Sequence, residues 1–149
     1  MAKKYPSGPK RPVDKELMYI KADSLGTTQD NTTIRTSTVA ETFTGGHIQV
    51  DVTRQSGGVI NMVLAMIPEG LTIPTITTTD GNSLFVPEEY VVWATTFRIA
   101  TGSVETISRS ARIKTMRKMK NGDRLVLCAV GSAATVGNTS CVVTAFFKQ

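Results

Sequence analysis

An all-β domain is what this sequence predicts, on three observations. The β-branched residues are abundant: 22 Thr, 15 Val and 10 Ile make 47 of 149 residues stiff at χ1. Such side chains lose freedom in a helix and suit a pleated sheet. Twelve Gly and six Pro supply turns between short apolar runs. No window of a dozen residues places apolar side chains at the i, i+3, i+4, i+7 spacing of an amphipathic helix. A chain of 149 residues has room for one core and not two.

The first unit is residues 1–16. Pro6, Pro9 and Pro12 can neither donate to a ladder nor continue a helix, and Gly8 adds freedom. The expectation is a flexible basic N-terminal arm, with residues 17–149 as the folded domain. The charged start has no apolar stretch of the signal-peptide kind, so none is expected. No apolar run approaches the ~18 residues of a membrane span, so no membrane partner is expected either.

Strands follow in order. Leu17–Ala22 is the first candidate and Thr32–Phe43 the second, with Gly45-Gly46 as punctuation. His47–Arg54 alternates strictly, with Ile48, Val50 and Val52 on one face and His47, Gln49, Asp51 and Thr53 on the other. That is the pattern of a half-buried antiparallel strand. After Gly57-Gly58, Val59–Ile67 is almost wholly apolar and reads as a central strand covered on both faces. Residues 68–88 hold three Pro, two Gly and a Thr run, a long irregular connection of the kind that carries function or meets a partner. Tyr90–Ile99 is a strand with Val91, Trp93, Phe97 and Ile99 on one face. Gly102-Ser103 leads into 107–120, and Asn121-Gly122-Asp123 signals a tight hairpin into Arg124–Val130. A small-residue loop, Gly131–Gly137, precedes the last strand, Thr139–Lys148. About eight antiparallel strands without a repeat fit a sandwich or barrel of the jelly-roll type.

The net charge of +5 is segregated. Residues 1–15 carry +4, residues 16–106 carry −6, and residues 107–124 carry +6. Two concentrated basic segments on an otherwise acidic chain have the footprint of a polyanion-binding protein. In 107–120 the odd positions, Ile107, Ala111, Ile113 and Met119 among them, are mostly apolar. The even positions, Arg112, Lys114, Lys118 and Lys120 among them, are mostly cationic. As a strand, this segment turns one face to the core and a row of cations to water. A helix is the competing reading, since Ile113, Met116 and Met119 also suit helical spacing; the Asn-Gly-Asp turn behind them favours the strand. Cations ~7 Å apart on one strand face match the phosphates of an extended nucleic acid. Lysines on an edge strand also guard against edge-to-edge aggregation. The candidate nucleic-acid contacts are therefore Lys3, Lys4, Lys10 and Arg11 of the arm with Arg112, Lys114, Lys118 and Lys120 of the strand.

Catalytic patterns are weak. His47, the single histidine, has no partner motif, and Cys128 and Cys141 sit in apolar strand patterns as small core residues. Glu88-Glu89 reads as solvated or interface charge. No phosphate-binding glycine loop, zinc-protease motif or Cys-x-x-Cys pair occurs, so neither an enzyme nor a cofactor or metal is expected.

Several blocks stand in a telling order: Asp80-Gly81-Asn82-Ser83-Leu84, Pro87-Glu88-Glu89-Tyr90-Val91-Val92-Trp93, Arg109-Ser110-Ala111-Arg112, then Arg117–Leu125, and Gly137-Asn138-Thr139 before a strand ending Phe146-Phe147. From Leu17 onward this order resembles the single jelly-roll capsid proteins of small circular Rep-encoding single-stranded DNA viruses. The resemblance implies an eight-stranded antiparallel jelly-roll sandwich that assembles with copies of itself into a small icosahedral shell. It implies a single-stranded genome, DNA by this likeness, enclosed against the basic arm. The chain would then reside in the virion after assembly in the host cell, the nucleus being one place for it. The alternative is a monomeric or small-oligomer β-barrel that binds single-stranded nucleic acid; it calls for aromatics interleaved with the cations, and 107–120 has none. A jelly-roll enzyme or lectin of the cupin kind needs clustered His and acidic ligands that one histidine does not supply.

Overall fold

The structure is a computed structural model that describes residues 13–22, 27–54, 58–76, 88–99, 106–132 and 137–149. Nine strands occur among them: β1 (Val13–Ala22), β2 (Asp30–Thr36), β3 (Glu41–Arg54), β4 (Gly58–Ile67), β5 (Val91–Ile99), β6 (Thr106–Ile113), β7 (Arg117–Met119), β8 (Arg124–Gly131) and β9 (Gly137–Lys148). One antiparallel sheet runs β1-β9-β3-β6, with β7 beside β6 on the same flank of β3; the other runs β2-β8-β4-β5. Consecutive strands mostly alternate between sheets, an order consistent with a jelly roll.

The alternation in β3 is borne out. Ile48, Val50 and Val52 are fully buried, while His47, Gln49 and Thr53 are exposed. Together with Phe43, Val143, Ala145 and Phe147 they meet Ile60, Met62, Leu64, Leu125, Leu127 and Phe97 of the second sheet in one core. β4 is covered on both faces, as its sequence predicts. Its outward Val63, Ala65 and Ile67 join Val126, Cys128, Val130 and Ile76 in a second cluster, closed by Ile73, Tyr90 and Val91. The segment that roofs this cluster is pinned by Gln29: Ile76 N donates to its Oε1 at 2.6 Å, and its Nε2 donates to Pro74 O at 2.9 Å.

Several boundaries differ from the sequence reading, each for a local reason. β1 begins at Val13, paired with Lys148, so residues 13–16 belong to the sheet and not to the arm. The stretch Thr32–Phe43 is broken at 37–40, where Ser37 N donates to Asp123 O (2.9 Å) and Gly122 N to Ser37 O (2.8 Å). Gly45-Gly46 does not end a strand. The pair lies within β3, directly after a bulge at Thr44-Gly45, with Gly45 at φ +111°. A Cβ on Gly45 would strike the Ile113 carbonyl, and one on Gly46 the Thr144 carbonyl, so glycine permits the close approach of both neighbours. Segment 107–120 is two strands parted at Lys114–Met116. The Asn121-Gly122-Asp123 turn is tight, with Gly122 at φ +88°, but joins β7 in one sheet to β8 in the other. It is a crossover and not a hairpin. A bulge in β5 at Val92, opposite Leu64 and Ala65 of β4, puts Val91 in the outer cluster while Trp93 and Phe97 face the main core. Glu88–Tyr90 is a single 3-10 turn. The expected turns at Asp80-Gly81-Asn82 and Gly102-Ser103 lie outside the described residues.

Candidate nucleic-acid interface

The cations of 107–120 lie on the first sheet, where strand register fixes their neighbours. The outer face of β6 carries Ser108, Ser110 and Arg112, all exposed. Arg112 pairs with His47 of β3, and His47 with Thr144 of β9. Two rows further, beyond the Thr44-Gly45 bulge, Lys118 of β7 pairs with Thr42, Thr42 with Lys148, and Lys148 with Val13. Directly opposite residues of adjacent strands share a face, so Lys118 and Lys148 stand on the same outer surface as Thr42. Lys114, in the break between β6 and β7, and Lys120, just after β7, are exposed as well. The inward positions Ile113 and Met119 are buried, as their parity predicts.

Arg109 and Arg117 sit at odd positions yet are exposed. Arg109 closes the rim between the sheets: its guanidinium lies 5.0 Å from the Phe97 ring centre and donates to Thr95 Oγ1 at 3.1 Å. It is a packing residue of the sandwich edge.

A shallow cavity of about 260 Å³ opens at this end of the sheet. Lys118, Lys120 and Lys148 line it with Ala40, Glu41, Thr42, Met119 and Gln149. Two neighbouring carboxylates with described side chains are committed elsewhere. Glu41 is 4% exposed and is held by Arg35 in a two-pronged pair, Nε–Oε1 3.0 Å and NH2–Oε2 2.9 Å. Asp123 accepts from Lys120 N at 2.7 Å and Glu69 N at 3.1 Å, clasping two turns. Among the described residues, no carboxylate pairs with Lys118, Lys120 or Lys148.

Of the residues singled out in the sequence, Arg112 and Lys118 share the outer face of the first sheet by register, Lys118 and Lys120 line one cavity, and Lys114 is exposed in the break between β6 and β7. Lys3, Lys4, Lys10 and Arg11 lie outside the described residues. Lys148 was missed: it is a lone cation closing an apolar strand, and only the pairing of β9 with β3 brings it level with Lys118. His47 is exposed, as expected. Cys128 and Cys141 are buried, and burial pushes their thiols up to about 11 and about 12, which keeps both protonated and unreactive. Trp93 is half-buried and packs on the main core, which fits an anchor rather than a base-stacking platform.

No protein-family model matches the chain, and no curated protein does. Among solved structures, it is similar to a structure of Desmodium yellow mottle tymovirus at 15% identity, over 99% of this chain and 93% of that one, with a TM-score of 0.38. A structure of turnip yellow mosaic virus aligns at 11% identity over 95% of each chain, TM-score 0.39. A chain of the disulfide-linked pili that form Bacillus endospore appendages aligns at 12% identity over the full length of both, TM-score 0.42. Likenesses at this level carry no weight for function, and the fold rests on the strand order itself.

Proposed function

We propose that this chain is a coat protein: an eight-position jelly-roll sandwich with a basic N-terminal arm that assembles with copies of itself and encloses a single-stranded genome through electrostatic, sequence-independent contacts. The observation that carries the reading is the convergence at one end of one sheet. The register Val13–Lys148–Thr42–Lys118 spans four strands, about 14 Å at the usual interstrand spacing. Residues 1–12, with four of the chain's cations, therefore join the fold beside its second basic segment. Base readout calls for side chains presented into a groove; a flat row of lysines is suited to phosphates alone. The monomeric barrel reading fares worse, because the two sheets are open and the aromatic nearest the cations in register, Phe146, is partly buried. Light scattering with negative-stain microscopy of the full chain tests the proposal. Closed particles of uniform diameter are expected; a mass near 16.1 kDa at every salt and pH would defeat it.

A further inference from the structure

We infer that the cavity lined by Lys118, Lys120 and Lys148 is a phosphate seat, holding a backbone phosphodiester of single-stranded nucleic acid at the root of the arm. The inference rests on the nucleic-acid reading above and adds a defined site to it, including one residue, Lys148, that lies far from either basic segment in sequence.

Three features make this a site and not simply a charged surface. First, its lysines come from two distant places in the chain, β7 with the residue after it and the end of β9, and the β3 pairings hold Lys118 and Lys148 level across one strand. A solvated run of lysines needs no such convergence. Second, Glu41 and Asp123, the carboxylates with described side chains beside them, are otherwise engaged. Glu41 contributes to the cavity wall, yet its side chain is fully buried against Arg35. Asp123 is turned to backbone amides, and that same contact fixes Lys120 by its own amide. Third, the other lining residues, apart from the buried Glu41, are uncharged: Ala40, Thr42, Met119 and Gln149. That leaves about 260 Å³ of open depression, which admits a phosphate with its sugar. Cations with no carboxylate partner among the described residues, set in a concave surface, attract anions more strongly than the same charges on an open face.

The position gives the seat a role. Val13 stands in the same row as Lys148, so a strand gathered by the arm passes onto fixed lysines at the arm's root. The seat sets where contact with the arm passes to contact with the sheet.

The test is anisotropy of a labelled 12-nucleotide oligo(dT) on the full chain, titrated across salt, for the wild type and three variants. Each phosphate contact on a single strand contributes a slope of about −0.7 in log K against log salt. Lys118→Gln with Lys148→Gln is expected to flatten the slope by about 1.4 on that scale. Bound oligonucleotide should also protect Lys118, Lys120 and Lys148 from acetylation. If the double variant keeps the wild-type slope while Arg112→Gln with Lys114→Gln, or deletion of residues 1–12, flattens it, the seat is wrong and the nucleic-acid reading survives. Should the double variant block assembly with the slope unchanged, the cavity is a contact between subunits and the inference is overturned. No oligo(dT) binding by any form would remove both.

Discussion

Glu41 is the one carboxylate buried among the described residues, and its partner Arg35 is mostly covered, with a side-chain exposure of 20%. The guanidinium also lies 4.9 Å from the Phe147 ring centre, so a single cation ties β2, β3 and β9 together. A buried pair of this kind adds little against an apolar substitute, but losing one partner strands the other. Glu41→Gln is therefore expected to cost about 3 kcal/mol, the low end for a buried pair because Arg35 keeps some water contact. Chemical denaturation measures it. The double variant Arg35→Met with Glu41→Leu should lose less than the single one. A single-variant cost below about 1 kcal/mol would mean that water already screens the pair. Neither residue stood out in the sequence, because a lone acid and a lone base six apart in polar stretches carry no periodic signal.

At the scale of elements, the Thr44-Gly45 bulge and the Gly46 that follows it decide whether β3 can serve both halves of the first sheet. On one side of it β3 pairs with β7, on the other with β6, and β9 follows across both. Gly46→Ala drives a methyl into the Thr144 carbonyl of β9, and the ladder has no slack to move. The expected cost is about 1–3 kcal/mol, as for overpacked interiors, read as a lower denaturation midpoint with an unchanged slope. A neutral result would show that the two strands separate locally at no cost. The bulge also marks how far the sequence was legible. Alternation in His47–Arg54 and the apolar run of Val59–Ile67 report burial directly, since face and period are local properties. The glycine pair was read as a turn because a bulge and a turn use the same residue, and the partner carbonyls that distinguish them lie about 70 and 100 residues away in the chain. The crossover at Asn121-Gly122-Asp123 misleads in the same way. Its local conformation is that of a tight turn, whereas the sheet each flank enters is settled by β3 and β4. Lys148 was hidden for this reason too: parity finds cations along one strand, not those that register aligns across several.

For the whole molecule, the distribution of charge and the start of the first ladder together define which part of the N-terminus can be removed. Pairing begins at Val13 opposite Lys148, so deletion of residues 1–12 takes away Lys3, Lys4, Lys10 and Arg11 and leaves every described backbone pair in place. Four lost phosphate contacts would flatten the salt dependence of single-strand binding by up to about 2.8, at ~0.7 each. Particle formation should persist, with less nucleic acid inside. Deletion of residues 1–16 removes the same four cations plus Lys15, but it also strips Val13, Asp14, Lys15 and Glu16 from the β9 edge. That exposes unpaired backbone beside Lys148 and disturbs the Val13–Lys148–Thr42–Lys118 row. The longer deletion is expected to lower the thermal midpoint and the particle yield, which the shorter one spares. Salt slope and particle yield, measured on both truncations, separate charge from architecture. Equal yields for the two would place the working boundary of the arm after residue 16, and an unchanged slope in both would mean that the arm does not contact nucleic acid.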